Sequence, residues 1–195
     1  MTRALALLFA ALTMLSGAGS AQAQGFFDMR DIMGGGPSFR GGGSGGGSPI
    51  QRATVSYPAN YAPGTIVIST GERRLYLVLG NGQALSYGIG VGRDGFRWSG
   101  THRITAKKEW PSWTPPSQML RRRPDLPRHM EGGVDNPLGA RAMYLGSTLY
   151  RIHGSNEPET IGQAVSSGCF RMTNEDVTDL YSRVSVGTTV VVKNN

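Results

Sequence analysis

One cysteine and one histidine lie in a stretch of the sequence that is suited to nucleophilic chemistry. The segment HGSNEPETIGQAVSSGCFRM begins at His153 and contains Cys169, the only cysteine among 195 residues, sixteen positions later. A thiolate can attack a carbonyl carbon, and an imidazole can take the thiol proton and return it to a leaving amine. Arg171 adds a positive charge two positions after the cysteine. These residue types predict covalent acyl transfer.

The residues before the cysteine indicate a turn. Ser166, Ser167 and Gly168 precede Cys169 directly. Glycine frees the backbone to turn, so that amides near the cysteine can face a developing oxyanion. The positive end of a following helix, together with the imidazole, predicts a thiolate near neutral pH. The alternative for a lone cysteine is a buried, inert side chain.

Other site chemistries find less support in the sequence. A zinc site needs three or four ligands, whereas the chain offers one thiol and three histidines without tight metal-ligand spacing. A dithiol redox site needs a second cysteine. Asp94, Glu109 and Asp125 suggest a carboxylate-pair hydrolase only weakly, because each lies in an ordinary charged loop or strand edge. We expect no metal and no organic cofactor.

The elements that must position these side chains are mainly β. Apolar residues alternate on both sides of a Gly-Asn-Gly turn, which is typical of a hairpin. The strand that carries LYRIHG would bring His153 to its C-terminal end, after a turn at Gly146 and Ser147. The predicted strands are 65–70, 73–79, 83–92, 101–110, 140–154 and 188–193.

One helix is well specified after the cysteine. Thr173 can cap it and Asp176 lies three residues on, as in a capping box. An apolar stripe at helical spacing then predicts its buried face. The stripe consists of Val177, Leu180, Tyr181 and Val184.

A long segment at 110–139 is rich in proline and contains two tryptophans. Proline prevents a regular strand or a long helix there. Long loops inside a compact domain are often functional.

The N-terminal part of the sequence predicts export. Arg3 precedes an apolar run and a small-residue AQA site, which indicates a signal peptide at 1–23. Residues 24–53 are Gly/Ser-rich and predict a flexible linker. Residues 54–195 then form one domain. Removal of Arg3 lowers the net charge from +7 to about +6, which suits anionic cell-wall polymers better than nucleic acid in an exported protein.

The motif around the cysteine resembles that of a known family. HGSN followed by SSGCFRM is similar to the His-Gly-Thr/Ser and Ser-x-Gly-Cys-x-Arg-Met/Leu signature of the L,D-transpeptidase catalytic domain, the YkuD-type family of bacterial cell-wall enzymes. The resemblance extends over about 60 to 193. It implies the family's β-sandwich-like fold, mainly β with short helices.

The resemblance also implies a reaction. Cys169 would attack the carbonyl of the third residue of a peptidoglycan stem peptide and expel the terminal D-alanine. His153 would act as general base and then acid, held by a backbone carbonyl as in the family, with Gly154 next in the chain.

Neighbouring residues receive supporting roles from the same resemblance. Ser166 and Gly168 would shape the turn, and Ser167 occupies a variable position of the motif. Arg171 would support the loop, with a substrate carboxylate as a second candidate partner. Three aromatic residues are candidates for the substrate groove, although structural packing is the favoured role: Trp110, Trp113 and Tyr144.

The resemblance leaves the acyl acceptor open. Candidates are an amine of a second stem peptide, an outer-membrane protein, a free D-amino acid, or water. Carbapenem β-lactams are expected inhibitors, and the expected location is the periplasm. The alternatives are an L,D-carboxypeptidase or endopeptidase with the same Cys-His pair, and a non-catalytic peptidoglycan-binding module.

Overall fold

A computed structural model describes residues 48–58 and 60–195. The predicted signal peptide and residues 24–47 of the predicted linker therefore lie outside the described residues. The end of the predicted linker lies against the domain, since Arg52 pairs with Asp176 at 3.5 Å and with Asp179 at 3.2 Å. Within the described ranges, no helix is long and apolar enough to cross a membrane.

The described chain is mainly β with short helices, which confirms the predicted class. Its strands are β1 Ala53–Ser56, β2 Ile66–Ser69, β3 Arg74–Gly80, β4 Gln83–Gly88, β5 Val91–Gly92, β6 Gly100–Glu109, β7 Arg141–Leu145, β8 Arg151–His153, β9 Ala164–Ser166, β10 Phe170–Arg171 and β11 Thr189–Lys193. Its helices are α1 Ser117–Arg122, α2 Asn174–Arg183 and a 3-10 helix at Pro158–Thr160.

In the described residues, nine strands form one sheet in the order β1-β4-β3-β2-β11-β6-β7-β8-β10, and β5 pairs with β9 separately. The predicted hairpin is β3 and β4. Gly80, Asn81 and Gly82 form its turn with φ of 96°, 51° and 69°, in the left-handed region that glycine and asparagine tolerate best. The predicted strand 83–92 ends earlier, at Gly88.

Strand β6 joins two parts of the sheet. Its first residues, Gly100 to Arg103, pair with β11, and Ile104 to Glu109 pair with β7 after an irregularity in register. A single apolar cluster draws residues from both parts and from α2, including Ile68, Met143 and Leu180. Burial of this cluster fixes the position of β8 and β10 relative to the rest of the sheet.

Strands β7, β8 and β10 bring the histidine to the motif. The predicted strand 140–154 forms β7 and β8, with Gly146 in the left-handed region between them. His153 lies opposite Ala142 of β7 on one side and opposite Arg171 of the parallel strand β10 on the other. Two segments eighteen residues apart, measured from His153 to Arg171, are thereby held side by side.

Helix α2 begins as predicted. The Thr173 hydroxyl accepts a hydrogen bond from the Asp176 amide at 3.1 Å. Val177 and Leu180 are buried, and Tyr181 packs partly buried against the same cluster, which confirms the predicted apolar face.

The 110–139 segment has a small core of its own. Trp113 and Met130 exchange two backbone hydrogen bonds of 2.8 Å each. The buried apolar residues of this cluster are Trp113, Met119, Leu126 and Leu138. The segment contains only the six-residue helix α1 and an isolated bridge, in agreement with the predicted absence of a long helix.

Candidate active site

A tight turn presents Cys169. The Ser166 hydroxyl donates to the carbonyl of Cys169 at 2.6 Å and accepts from the Gly168 amide at 3.1 Å. Gly168 has a φ of 108°, and a Cβ there would lie 2.6 Å from the Tyr150 ring, so only glycine fits. Trp98 Nε1 donates to the Gly168 carbonyl at 2.8 Å. The turn is therefore held by Ser166 and Gly168 in the manner expected from the sequence.

His153 is buried and presents one nitrogen to the site. Its Nδ1 lies 2.6 Å from the carbonyl oxygen of Gly154. A carbonyl only accepts hydrogen bonds, so Nδ1 carries the proton and Nε2 keeps its lone pair. Among the described residues, Nε2 has no hydrogen-bond partner. The imidazole is oriented as a proton acceptor.

Burial keeps this imidazole neutral. Burial, followed by the positive charge of Arg171, lowers the pKa of His153 to about 3. At neutral pH the ring is uncharged, which is the form that a general base requires. The low pKa also means that a resting imidazolium is strongly disfavoured.

Influences of opposite direction act on the acidity of the Cys169 thiol. Burial raises the pKa of the Cys169 thiol, while Arg151 and then Arg171 act in the opposite direction. Strand β10 lies between the cysteine and the Thr173 cap, so the helix dipole contributes little because its effect is confined to the first turn. The thiol Sγ instead donates to the Leu149 carbonyl in a weak contact of 3.7 Å.

Arg171 points into the core. Its side chain is 1% exposed and pairs with Glu157 at 2.9 Å, with a further hydrogen bond to Thr160 at 3.2 Å. This geometry fits support of the loop. It contradicts a direct contact with a substrate carboxylate, because the guanidinium lies beneath the strand rather than at the surface.

Cys169 and His153 share a groove of about 440 Å³. One side, which we name the core wall, consists of β8 with the residues before it and the turn at Ser166–Cys169. The other side, the insertion wall, comes from the 110–139 segment. It contributes Trp113, Pro116, Gln118, Met119, Arg122 and Leu138.

Of the three candidate aromatic residues, only Trp113 lines the described groove. Trp113 is also buried in the small apolar cluster of the 110–139 segment, so its side chain both packs in that cluster and lines the groove. Trp110 is 43% exposed and Tyr144 carries the Arg151 guanidinium over its ring at 5.1 Å. Ser167 lines the groove, and its hydroxyl accepts a hydrogen bond of 3.4 Å from the Arg93 guanidinium.

Sequence reasoning missed Arg151 and Trp98. Arg151 lies two residues before His153 on β8, so its side chain shares a face with that of the histidine. That alternation was a signal available in the sequence. Trp98 stacks on Tyr150 with centroids 4.4 Å apart and supports the turn, but no local pattern indicates that long-range contact.

The comparisons with known proteins agree on a family. Residues 63–192 match the model of the YkuD family, the L,D-transpeptidase catalytic domain. The probable L,D-transpeptidase YbiS of Escherichia coli K12 is 40% identical over 134 residues, which cover 64% of this chain and 43% of YbiS. The chain thus matches less than half the length of that relative.

Solved structures show the same fold. L,D-transpeptidase 3 from Mycobacterium tuberculosis, in complex with a faropenem-derived adduct, is 17% identical to this chain and has a TM-score of 0.52. The match covers 67% of this chain and 60% of the Mycobacterium tuberculosis chain. A crystal structure described as a probable carnitine operon oxidoreductase from Brucella melitensis is 47% identical with a TM-score of 0.51. This match covers 75% of the present chain and 96% of the Brucella melitensis chain. The activity named for that structure differs from that of the family, whereas the family model and YbiS both indicate an L,D-transpeptidase.

Proposed function

The chain belongs to the L,D-transpeptidase catalytic domain family, and on that premise we propose that it is an exported peptidoglycan L,D-transpeptidase. The observation that carries the proposal is that Cys169 and His153 line one groove, with Nε2 of the histidine left as a proton acceptor. This is the minimum arrangement for acyl transfer through a thioester.

The first half-reaction forms the acyl-enzyme. His153 Nε2 takes the Cys169 proton as the sulfur attacks the carbonyl carbon of the third residue in a tetrapeptide stem. The tetrahedral intermediate collapses, the bond to D-alanine breaks, and the imidazolium returns the proton to the D-alanine amine. The low pKa of His153 favours this return, because a strongly acidic imidazolium gives up its proton readily.

The turn restricts which groups stabilise the oxyanion. The Gly168 amide donates to the Ser166 hydroxyl at 3.1 Å, so that amide is already engaged. Of the amides near the cysteine that could face the oxyanion, the Gly168 amide is therefore not free to do so in this conformation. Preorganised donors must lie about 2.7 to 3.1 Å from the oxyanion to stabilise it, and a fixed turn provides that rigidity.

The second half-reaction passes the acyl group to an amine. His153 accepts a proton from the incoming amine as the amine attacks the thioester carbonyl. The C–S bond then breaks, and the imidazolium returns the proton to the Cys169 sulfur. A diaminopimelate amine gives a 3→3 cross-link, and an amine of an outer-membrane protein gives attachment of that protein to the wall. The predicted signal peptide and the basic composition support a periplasmic location near this anionic polymer.

β-Lactams of the carbapenem type should also react with Cys169. Their strained carbonyl resembles an activated acyl donor, so thiolate attack would open the ring and leave a stable thioester. The related fold of the Mycobacterium tuberculosis enzyme, crystallised with a faropenem-derived adduct, supports this extension.

Product analysis tests the proposal against its alternatives. The mature chain is incubated with purified tetrapeptide muropeptides and the products are separated by liquid chromatography and mass spectrometry. The proposal predicts cross-linked or amine-exchanged products together with free D-alanine. Tripeptides with free D-alanine alone would indicate an L,D-carboxypeptidase. Cleavage of a cross-linked muropeptide dimer, supplied as a second substrate, would indicate an endopeptidase. Binding without any product, unchanged in Cys169→Ala, would indicate a non-catalytic module.

A further inference from the structure

Arg151 is the charged residue of the core wall that has no assigned role. It lines the groove together with His153 and Cys169. Its guanidinium lies over the Tyr144 ring at 5.1 Å, in the register in which the two residues pair across β7 and β8. Its Nε is buried and, among the described residues, has no hydrogen-bond partner. A buried donor without an acceptor is costly, which points to an acceptor that the resting contacts do not supply.

The strand register places the cysteine next to this arginine. Phe170 of β10 lies opposite Ile152 of the parallel strand β8, so the preceding residue, Cys169, falls beside Arg151. The sulfur also points toward this end of β8, since Sγ contacts the Leu149 carbonyl at 3.7 Å. Arg151 is therefore a cationic residue that neighbours Cys169 across the β8–β10 pair.

We propose that Arg151 pairs with the Cys169 thiolate, so that the nucleophile is stabilised by a guanidinium and does not depend on a protonated His153. The proposal rests on the proposed function for the site's use, but the pairing itself is a property of the free protein. When the S–H bond breaks, the proton leaves for His153 Nε2 or for water. The negative charge that remains on sulfur faces the Arg151 guanidinium.

The electrostatics of the surrounding groups agree with this assignment. Arg151 is the largest influence that lowers the pKa of Cys169 against burial, acting through charge and through its backbone and side chain, and Arg171 follows. The other titratable or charged groups that line the described groove are Tyr150 just before β8, His153 on β8 and Arg122 on the insertion wall. His153 cannot supply the counter-charge at rest, because its pKa is about 3.

The alternative for Arg151 is a purely structural cation stacked on an aromatic ring. Arg141 on the neighbouring strand β7 offers a matched control. Its guanidinium lies 5.5 Å from the Tyr181 ring and pairs with Glu109 at 3.2 Å, but it does not line the described groove. A structural role predicts equal behaviour of the two arginines, whereas thiolate pairing singles out Arg151.

The pH dependence of alkylation tests the pairing directly. Iodoacetamide reacts with the thiolate, forming an S–C bond and releasing iodide, and Cys169 is the only cysteine of the chain. The rate of mass increase is measured from pH 5 to pH 10 for wild type, Arg151→Gln, Arg151→Lys and Arg141→Gln. Removal of the positive charge of Arg151 beside the thiolate should raise the midpoint of the alkylation pH profile by about one pH unit or more.

We expect the raised midpoint in Arg151→Gln, partial return in Arg151→Lys, and no change in Arg141→Gln. A midpoint in Arg151→Gln that equals the wild-type value overturns the proposal, as does an equal shift in Arg141→Gln. If Arg151→Gln does not fold, the test uses Arg151→Lys. The alkylation midpoint of Cys169 in Arg151→Lys must then lie closer to the wild-type midpoint than to that of free cysteine. The assay contains no wall substrate, so a shifted midpoint without muropeptide acylation would remove the proposed function and leave the pairing intact.

Discussion

The two walls of the groove differ in what holds them. The core wall is built around β8 of the nine-stranded sheet, and Arg171 on the adjacent strand β10 is buried with its partner Glu157. The insertion wall rests on a four-residue apolar cluster that is separate from the main core. The reacting groups thus lie on β8 and directly before β10, which pair with each other in the sheet. The wall opposite them has its own small core, which suits contacts with substrate better than chemistry.

The sharpest difference between the regions should appear in stability. Arg171→Met leaves the buried Glu157 without its principal cation, and such a loss costs about 3–5 kcal/mol in the free energy of unfolding. Arg183→Met breaks an ion pair on α2 whose arginine is 46% exposed, and an exposed pair of this spacing contributes only about 0.3–0.5 kcal/mol. Urea denaturation of both variants measures the contrast. Equal losses would mean that the buried pair does not anchor the core wall.

The core wall should also make stability depend on pH. The folded pKa of His153, about 3, lies below the ordinary value of 6.5, so the unfolded chain binds more protons between these values. The contribution of His153 is complete above pH 6.5 and is lost as pH falls toward 3. His153→Asn keeps an amide donor for the Gly154 carbonyl but cannot titrate. Its melting temperature should fall less steeply than that of wild type between pH 6.5 and 4, and parallel curves would contradict the account.

The insertion wall should affect substrate more than nucleophile. Trp113→Ala removes the largest side chain of the insertion cluster and displaces that side of the groove. We expect acylation by a tetrapeptide muropeptide to slow roughly tenfold to a hundredfold, since small displacements are costly to positioning. The alkylation midpoint of Cys169 should stay the same. A shift of that midpoint would show that the two walls are not separable.

The smallest effect is expected at the support of the turn. Trp98→Phe keeps an aromatic ring against Tyr150 but removes the 2.8 Å hydrogen bond to the Gly168 carbonyl. One such bond contributes about 0.5–1.5 kcal/mol. Urea denaturation should show a loss of this size, with acylation slowed in step. Trp98→Phe without any loss would mean that Ser166 and Gly168 fix the turn without this hydrogen bond.

The sequence predicted the elements whose signals are local. The β3–β4 hairpin follows from alternation around Gly-Asn-Gly, and the start of α2 follows from Thr173 and the apolar stripe behind it. Strands β9 and β10 have only three and two residues, so no hydrophobic periodicity in the sequence predicts them. They form because β5 and β8 offer parallel partners far away in the chain.

The site was predictable in part for the same reason. Cys169, His153 and the turn residues carry their chemistry in their identities and spacing. The burial of Arg171 depends on Glu157, fourteen positions earlier, and the sequence alone does not show that pairing. The acidity of the Cys169 thiol likewise depends on burial, which raises its pKa, and on Arg151 across the strand pair, which lowers it. The sequence alone shows neither contact.

The most direct test of the central claim is intact-protein mass spectrometry. Mature wild type, Cys169→Ala and His153→Ala are incubated with a tetrapeptide muropeptide and, separately, with a carbapenem. The account predicts a covalent adduct on wild type, none on Cys169→Ala, and greatly slowed formation on His153→Ala. A folded wild type that takes up no adduct from either reagent, or an adduct that persists in Cys169→Ala, would contradict it.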